Sequence, residues 1–186
     1  MKYQKRLTSD DKVIEIYDDV FSPSEREYHS SFTYNSKYLI KPVFQDSFWV
    51  KGKNYTLSPY SVDDLNNFKF LDSESFEPIA KKLQHYDISK CYTNVGTMAS
   101  SFYFHTDYYD IGRKTLLYYV NPRWDREWGG ETMFANKYGE CEIAVEYKPG
   151  RIVIFDAEIE HKPSAISKDA DEFRCVFVIQ YKQRNH

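Results

Sequence analysis

RKTLLYYVNPRWDREWGGETMF, residues 113–134, holds two short apolar runs separated by a tryptophan-bearing loop and a Gly129-Gly130 pair. Leucine, tyrosine and valine crowd the first run, and such residues pack well on a pleated surface. The second run, GETMFAN, resumes at the glycines, which mark a turn. Strand, turn, strand is the reading, and the chain on either side repeats it. Upstream lie KCYTNVGTM (90–98) and SFYFHTD (101–107); downstream lie CEIAVEY (141–147), RIVIFDA (151–157), a short stretch near HKPSAIS (161–167) and FRCVFVIQYK (173–182). Lys148-Pro149-Gly150 supplies a further turn. Many short strands closely spaced predict a sandwich or barrel.

The N-terminal part differs. DKVIEIYDDVF (11–21) alternates apolar and polar residues, then meets Ser22-Pro23-Ser24-Glu25, a capping box with proline at the first helical position. A second helix is expected within SESFEPIAKKLQHY (73–86), where Phe76, Ile79, Ala80 and Leu83 share one face. Residues 35–72, rich in Tyr, Asn, Ser and Lys, read equally as a lid or a support element. The expected class is mainly β with flanking helices (α+β), in one domain over 1–186: a support region to about residue 89 and a β core over about 90–182.

Charge and cysteine content narrow the function classes. Lys+Arg 25 against Asp+Glu 28 gives a net charge of -3 with no basic stripe, which argues against nucleic acid as partner. No stretch approaches the ~20 apolar residues of a membrane span, and MKYQKRLTSDD lacks the apolar segment of a secretion signal. Cys91, Cys141 and Cys175 are too scattered for a disulfide framework, so reduced thiols in a cytoplasm are expected.

Chemistry begins at His105-Thr106-Asp107. With 28 acids in 186 residues, one His-X-Asp/Glu pair arises at about even odds, and His85-Tyr86-Asp87 is a second. The latter closes a helical pattern, where the helix dipole favours histidine, and Asp87 begins the following turn. His105 and Asp107 instead end a predicted strand, so their side chains leave one face and can converge. A divalent ion needs a third ligand. His29 falls in the capped helix and His186 is the last residue, which leaves His161, either that ligand or a surface histidine in its loop.

Two imidazoles and a carboxylate make the facial set of non-haem iron oxygenases, with three positions left open. Structural zinc would want a fourth protein ligand, and no cysteine lies near. Arg174 shares a strand face with Val176 and Val178: either it stays solvated at the rim, or it turns inward to grip the far carboxylate of a dicarboxylate cosubstrate. Fe²⁺ with one aspartate, a dicarboxylate and one arginine sum to about neutral, which avoids a large desolvation penalty.

From the strand at Tyr92 through HTD, LLYYVNPRWDREWGGETMF and PGRIVIFDAEIEHKPSAIS to Arg174, the chain resembles the Fe(II)/2-oxoglutarate-dependent dioxygenases, specifically the prolyl 4-hydroxylase-like group. The resemblance implies a double-stranded β-helix (jelly roll) with N-terminal supporting helices. It implies His105, Asp107 and His161 as iron ligands, Arg174 as clamp for 2-oxoglutarate, and Tyr119 or Tyr92 as hydroxyl partner of that carboxylate. Dioxygen is the second cosubstrate and ascorbate a reductant. Hydroxylation of an unactivated C–H bond would follow, with release of succinate and carbon dioxide; the aspartate at 107 favours hydroxylation over halogenation. The polar SKDADE insertion lengthens the usual spacing from His161 to Arg174.

The group's habit points to a prolyl residue of a protein or peptide. A free amino acid, another small molecule or an alkylated nucleobase would need the same centre, and a non-catalytic jelly-roll module is the rival outside enzymes. Trp124 and Trp128 either wall a substrate site or cover the sheet edge.

Overall fold

The computed structural model describes residues 1–35, 39–41, 55–60, 64, 68–100 and 102–184. Eleven strands are formed: β1 Lys2–Leu7, β2 Val13–Asp18, β3 Leu39–Lys41, β4 Tyr55–Pro59, β5 Tyr86–Gly96, β6 Arg113–Tyr119, β7 Thr132–Ala135, β8 Cys141–Val145, β9 Ile152–Asp156, β10 His161–Pro163 and β11 Arg174–Gln183. Among the described residues two α-helices, α1 Pro23–Tyr34 and α2 Glu77–Lys82, and a 3-10 turn at Arg126–Trp128 accompany them. All strand pairs are antiparallel, in an eight-stranded sheet ordered β1-β2-β9-β6-β11-β5-β4-β3 and a three-stranded sheet β10-β7-β8. This is the double-stranded β-helix, with α1 and α2 against one face of the large sheet.

Alternation along the central strands builds two cores from one set of residues. On β6, Leu116 and Tyr118 point to the helical side, while Leu117 and Tyr119 point between the sheets. β9 does the same with Ile152 and Ile154 against Val153 and Phe155. Strands covered on both faces are therefore apolar at successive positions, as Ile152 to Phe155 are. The helical-side core is dense in rings, with Phe21, Phe68, Phe70, Phe76 and Phe177 all buried.

The expected cap at the head of α1 is formed: the Glu25 N–H donates to Ser22 Oγ at 3.3 Å, and the Ser22 N–H donates to Glu25 Oε2 at 2.8 Å. The same carboxylate accepts from Ser73 and Ser75, tying α1 to the segment before α2. These bonds hold Glu25 down at about 2 despite burial. Phe76, Ile79 and Leu83 bury the expected face of α2.

Two local expectations are corrected, and one strand stands where none was expected. SFYFHTD forms no strand; a single antiparallel bridge, His105 to His161, replaces it, because alternate residues there stay exposed and no neighbouring strand runs alongside. Asp87 belongs to β5 rather than to a turn and pairs with Arg184 at 2.7 Å. KYQKRL forms β1, whose mostly exposed side chains print no apolar period. Of the stretch 35–72, the lid reading falls largely outside the described residues; β3 and β4 extend the large sheet beside β5. Among the described residues no helix is long and apolar enough to cross a membrane, and the three cysteines are free.

Candidate functional site

His105, Asp107 and His161 converge although 54 residues separate Asp107 from His161. One ligand atom of each lies within 4.8 Å of the others. Backbone pairing does this: the His105 N–H donates to the His161 carbonyl at 3.1 Å and the His161 N–H returns the bond at 2.9 Å. The Asp107 N–H donates to the Ala157 carbonyl at 3.0 Å, which fixes the carboxylate one step farther round.

Each imidazole is oriented in the same way. His105 Nδ1 lies 3.0 Å from the Tyr103 carbonyl, and His161 Nδ1 lies 2.9 Å from the Ile159 carbonyl. A carbonyl can only accept, so both Nδ1 atoms carry the proton and both Nε2 lone pairs are free to ligate. Burial, helped by the neighbouring His105 ring, lowers the His161 pKa below its ordinary value, which keeps it neutral. Thr115 Oγ1 donates to Asp107 Oδ2 at 2.5 Å, holding the carboxylate while Oδ1 stays available. Neutral nitrogen donors with one carboxylate suit ferrous iron. His161 is buried and His105 exposed, so the trio is closed behind and open in front.

The pocket beside the trio runs between the two sheets. Its floor is Leu117 of β6 with Val176 and Val178 of β11, and Pro163 of β10 closes one side. Tyr92 and Asn94 of β5 form the opposite wall, and Asn94 Oδ1 is buried without a hydrogen-bond partner among the described residues. Arg174 lies at the inner end and is only 3 % exposed, which excludes the solvated-rim reading. Its Nε donates to the Gly130 carbonyl at 2.7 Å and its Nη2 to Thr132 Oγ1 at 3.2 Å. No carboxylate among the described residues pairs with it. Burial lowers its pKa from the ordinary value, with Tyr119 and Tyr147 opposing. A buried cation lacking an anion is a strong demand for one. Gly130, at φ +77°, permits the close approach: a Cβ there would stand 3.0 Å from Arg174 Cδ.

Of the two tyrosines, Tyr92 lines the pocket and Tyr119 does not. The Tyr119 ring stacks on Tyr147 at 4.4 Å, its hydroxyl meets Thr132 Oγ1 at 2.6 Å, and the Arg174 guanidinium lies 5.6 Å over its ring centroid. Trp124 and Trp128 also stand outside the pocket. Trp124 packs on Tyr147 at 4.6 Å and donates from Nε1 to the Gly129 carbonyl at 2.9 Å, with Trp128 edge-on at 5.2 Å. Sequence reading missed Thr132, Asn94 and the support from Thr115. Thr115 had a signal, since it shares the alternation of Leu117 and Tyr119; Thr132 and Asn94 gain their places only through register across strands. The decoy histidine, His85, is no member of the trio, and its Asp87 is held by Arg184.

Residues 89–179 match the family model described as the 2OG-Fe(II) oxygenase superfamily. No curated protein matches the sequence. Among solved structures, an oxidoreductase of the 2OG-Fe(II) oxygenase family from Burkholderia pseudomallei superposes with a TM-score of 0.68 at 13% identity, over 92% of this chain and 86% of that one. A prolyl hydroxylase from Trichoplax adhaerens, in complex with a hypoxia inducible factor oxygen degradation domain peptide fragment, gives 0.68 at 15% identity, over 91% and 83%. A Pseudomonas putida prolyl-4-hydroxylase gives 0.62 at 13% identity, over 92% and 93%. At such identities the likeness is one of fold.

Proposed function

Because the chain belongs to the 2OG-Fe(II) oxygenase superfamily, we propose that it hydroxylates a prolyl residue of a protein or peptide, with His105, Asp107 and His161 as the iron ligands. When bound, the ferrous ion supplies dioxygen activation coupled to decarboxylation of 2-oxoglutarate, which ends in succinate, carbon dioxide and a hydroxylated product. The chain's residues bind, orient and exclude water. The paired Nδ1–H bonds to Tyr103 and Ile159 carbonyls fix both rings, and Thr115 fixes Asp107. Arg174 and Thr132 receive the far carboxylate of 2-oxoglutarate, Tyr92 flanks it, and Tyr119 steadies Thr132 from behind. Leu117, Val176 and Val178 give an apolar floor beneath its methylenes.

The observation that carries this reading is the combination of three converging ligand atoms with a buried arginine at the far end of the same pocket that forms no salt bridge with a described residue. A non-catalytic module has no use for that arginine. The choice of a prolyl residue rests on the likeness in fold to enzymes that act on one, among them the Trichoplax protein with its peptide. Trp124 and Trp128 stand outside the cosubstrate pocket, with Trp124 packed on Tyr147 and Trp128 edge-on to Trp124.

Substrate-stimulated succinate release tests the reading. Proline-containing peptides, free amino acids and methylated oligonucleotides would be offered to the Fe(II)-loaded protein with ascorbate. Peptides should stimulate release and acquire one oxygen atom at proline; stimulation by a free amino acid or oligonucleotide alone would replace the substrate, and none in any arm would remove the activity.

A further inference from the structure

Asn121 ends the YYVN motif and lies outside the pocket, yet its 2 % exposure and five hydrogen bonds mark it as a hub. β6 stops at Tyr119, opposite Val176, and Pro122 then removes the N–H a longer strand would need. The Val120 N–H still donates to the Cys175 carbonyl at 3.3 Å, and past it β11 would lose its neighbour on this side. Instead the Asn121 carboxamide takes over: Nδ2 donates to the Phe173 carbonyl at 2.8 Å, and Oδ1 accepts the Cys175 N–H at 2.8 Å. A carboxamide offers the donor and acceptor of a peptide bond, so it adds one more rung to the ladder. Its orientation is unambiguous, because a backbone N–H only donates and a carbonyl only accepts.

The residue between those two contacts is Arg174. On its other side Arg174 pairs with Gly96 of β5, so its backbone is gripped from both edges. Tyr147 adds to the grip, its hydroxyl lying 2.5 Å from both Asn121 Oδ1 and the Cys175 carbonyl. Asn121 Nδ2 also reaches the Tyr34 hydroxyl of α1 at 3.1 Å and Glu172 Oε2 at 3.3 Å, while Arg123 holds Asp171 and Glu172. The SKDADE insertion is therefore fastened at its exit. Its extra length never reaches the clamp.

Building on the proposed role of Arg174, we infer that Asn121 is a positioning residue: its carboxamide sets where β11 begins and so how far the Arg174 guanidinium reaches into the pocket. It touches neither metal nor cosubstrate. Its loss should penalise ligands that use the far carboxylate and spare those that lack it.

Anaerobic titration of the Fe(II)-loaded protein with 2-oxoglutarate and with 2-oxobutyrate, which keeps the keto acid head without the far carboxylate, reads that difference directly. Asn121→Ala should weaken 2-oxoglutarate about tenfold, the loss of one to two hydrogen bonds' worth of placement, and leave 2-oxobutyrate unchanged. Asn121→Asp keeps the acceptor for Cys175 and loses the donor for Phe173, so it should fall between wild type and alanine; it carries the comparison if the alanine variant does not fold. Asn136→Ala removes an equally buried hub that caps the β7–β8 turn, far from Arg174 in the fold, and should change neither ligand. Wild-type affinity for 2-oxoglutarate in Asn121→Ala, or equal loss of both keto acids, would overturn the inference. Arg174→Met separates the two levels: if it binds 2-oxoglutarate normally, the clamp reading itself fails, whereas a weak Arg174→Met beside a normal Asn121→Ala sinks only the role of Asn121.

Discussion

Two histidines lie buried on opposite faces of the same sheet, and only one turns a nitrogen toward other metal-ligating side chains. His29 of α1 is 1 % exposed beneath β6, ringed by Phe21 at 4.7 Å and Phe68 at 4.9 Å, with Nδ1 3.1 Å from the Tyr118 hydroxyl. His161 is 5 % exposed and also has aromatic neighbours, with Phe155 of β9 at 4.7 Å. Burial keeps both rings neutral. Aromatic enclosure and a neutral ring are therefore not what makes a ligand. The difference lies in what the two nitrogens meet: a backbone carbonyl and two converging ligand atoms for His161, the Tyr118 hydroxyl and a backbone hydrogen bond to Lys69 for His29.

Removing one ring at a time breaks or confirms that contrast. His161→Ala should abolish Fe(II) uptake, followed by anaerobic metal titration, and with it succinate release, while circular dichroism stays that of the wild type; retained uptake would take His161 out of the centre. Next in size is the far end of the same pocket. Arg174→Met should raise the KM for 2-oxoglutarate roughly a hundredfold, since it deletes a charge-assisted, desolvated partner, and leave metal uptake intact.

On the other face the effect should be on stability and pH alone. Burial lowers His29 from 6.5 to about 4. In the unfolded chain the ring takes up a proton below 6.5, but in the fold it waits until about 4, so unfolding binds protons in that window. Stability from this group is complete above pH 6.5, declines as pH falls towards 4, and is level below, a span of up to about 3 kcal/mol. His29→Gln should flatten that slope in urea unfolding measured at pH 7 and pH 4.5, with metal uptake unchanged. Smallest of all, His85→Ala should leave metal binding alone and shift stability by no more than about 0.5 kcal/mol, as a substitution far from core and site does.

The same contrast explains what the sequence made legible. The α1 cap needed only residues 22 to 25, and it stands as expected because its bonds are local. β6, β9 and β11 announced themselves because burial on both faces favours unbroken apolar runs, Leu116 to Tyr119, Ile152 to Phe155 and Cys175 to Ile179. β1 was invisible for the opposite reason: its side chains, mostly in solvent, are free to be lysine, glutamine and arginine. SFYFHTD misled because aromatic content imitates a strand, whereas one backbone bridge to His161 suffices to aim the ligands. The trio that converges was readable from spacing and scarcity, since five histidines leave few choices. Thr132 and Asn94 were not, because their places depend on which residues of distant strands end up side by side.

The crossed pair of backbone bonds between His105 and His161 reaches further than aiming two rings. An ion shared there would staple the loop before β6 to the small sheet, closing a long stretch of chain without any covalent link. Ligation only in the folded form favours that form by mass action. Scarcity of the ion would then shorten the polypeptide's survival as well as idle it, and a chelator should make the protein easier to melt and to digest.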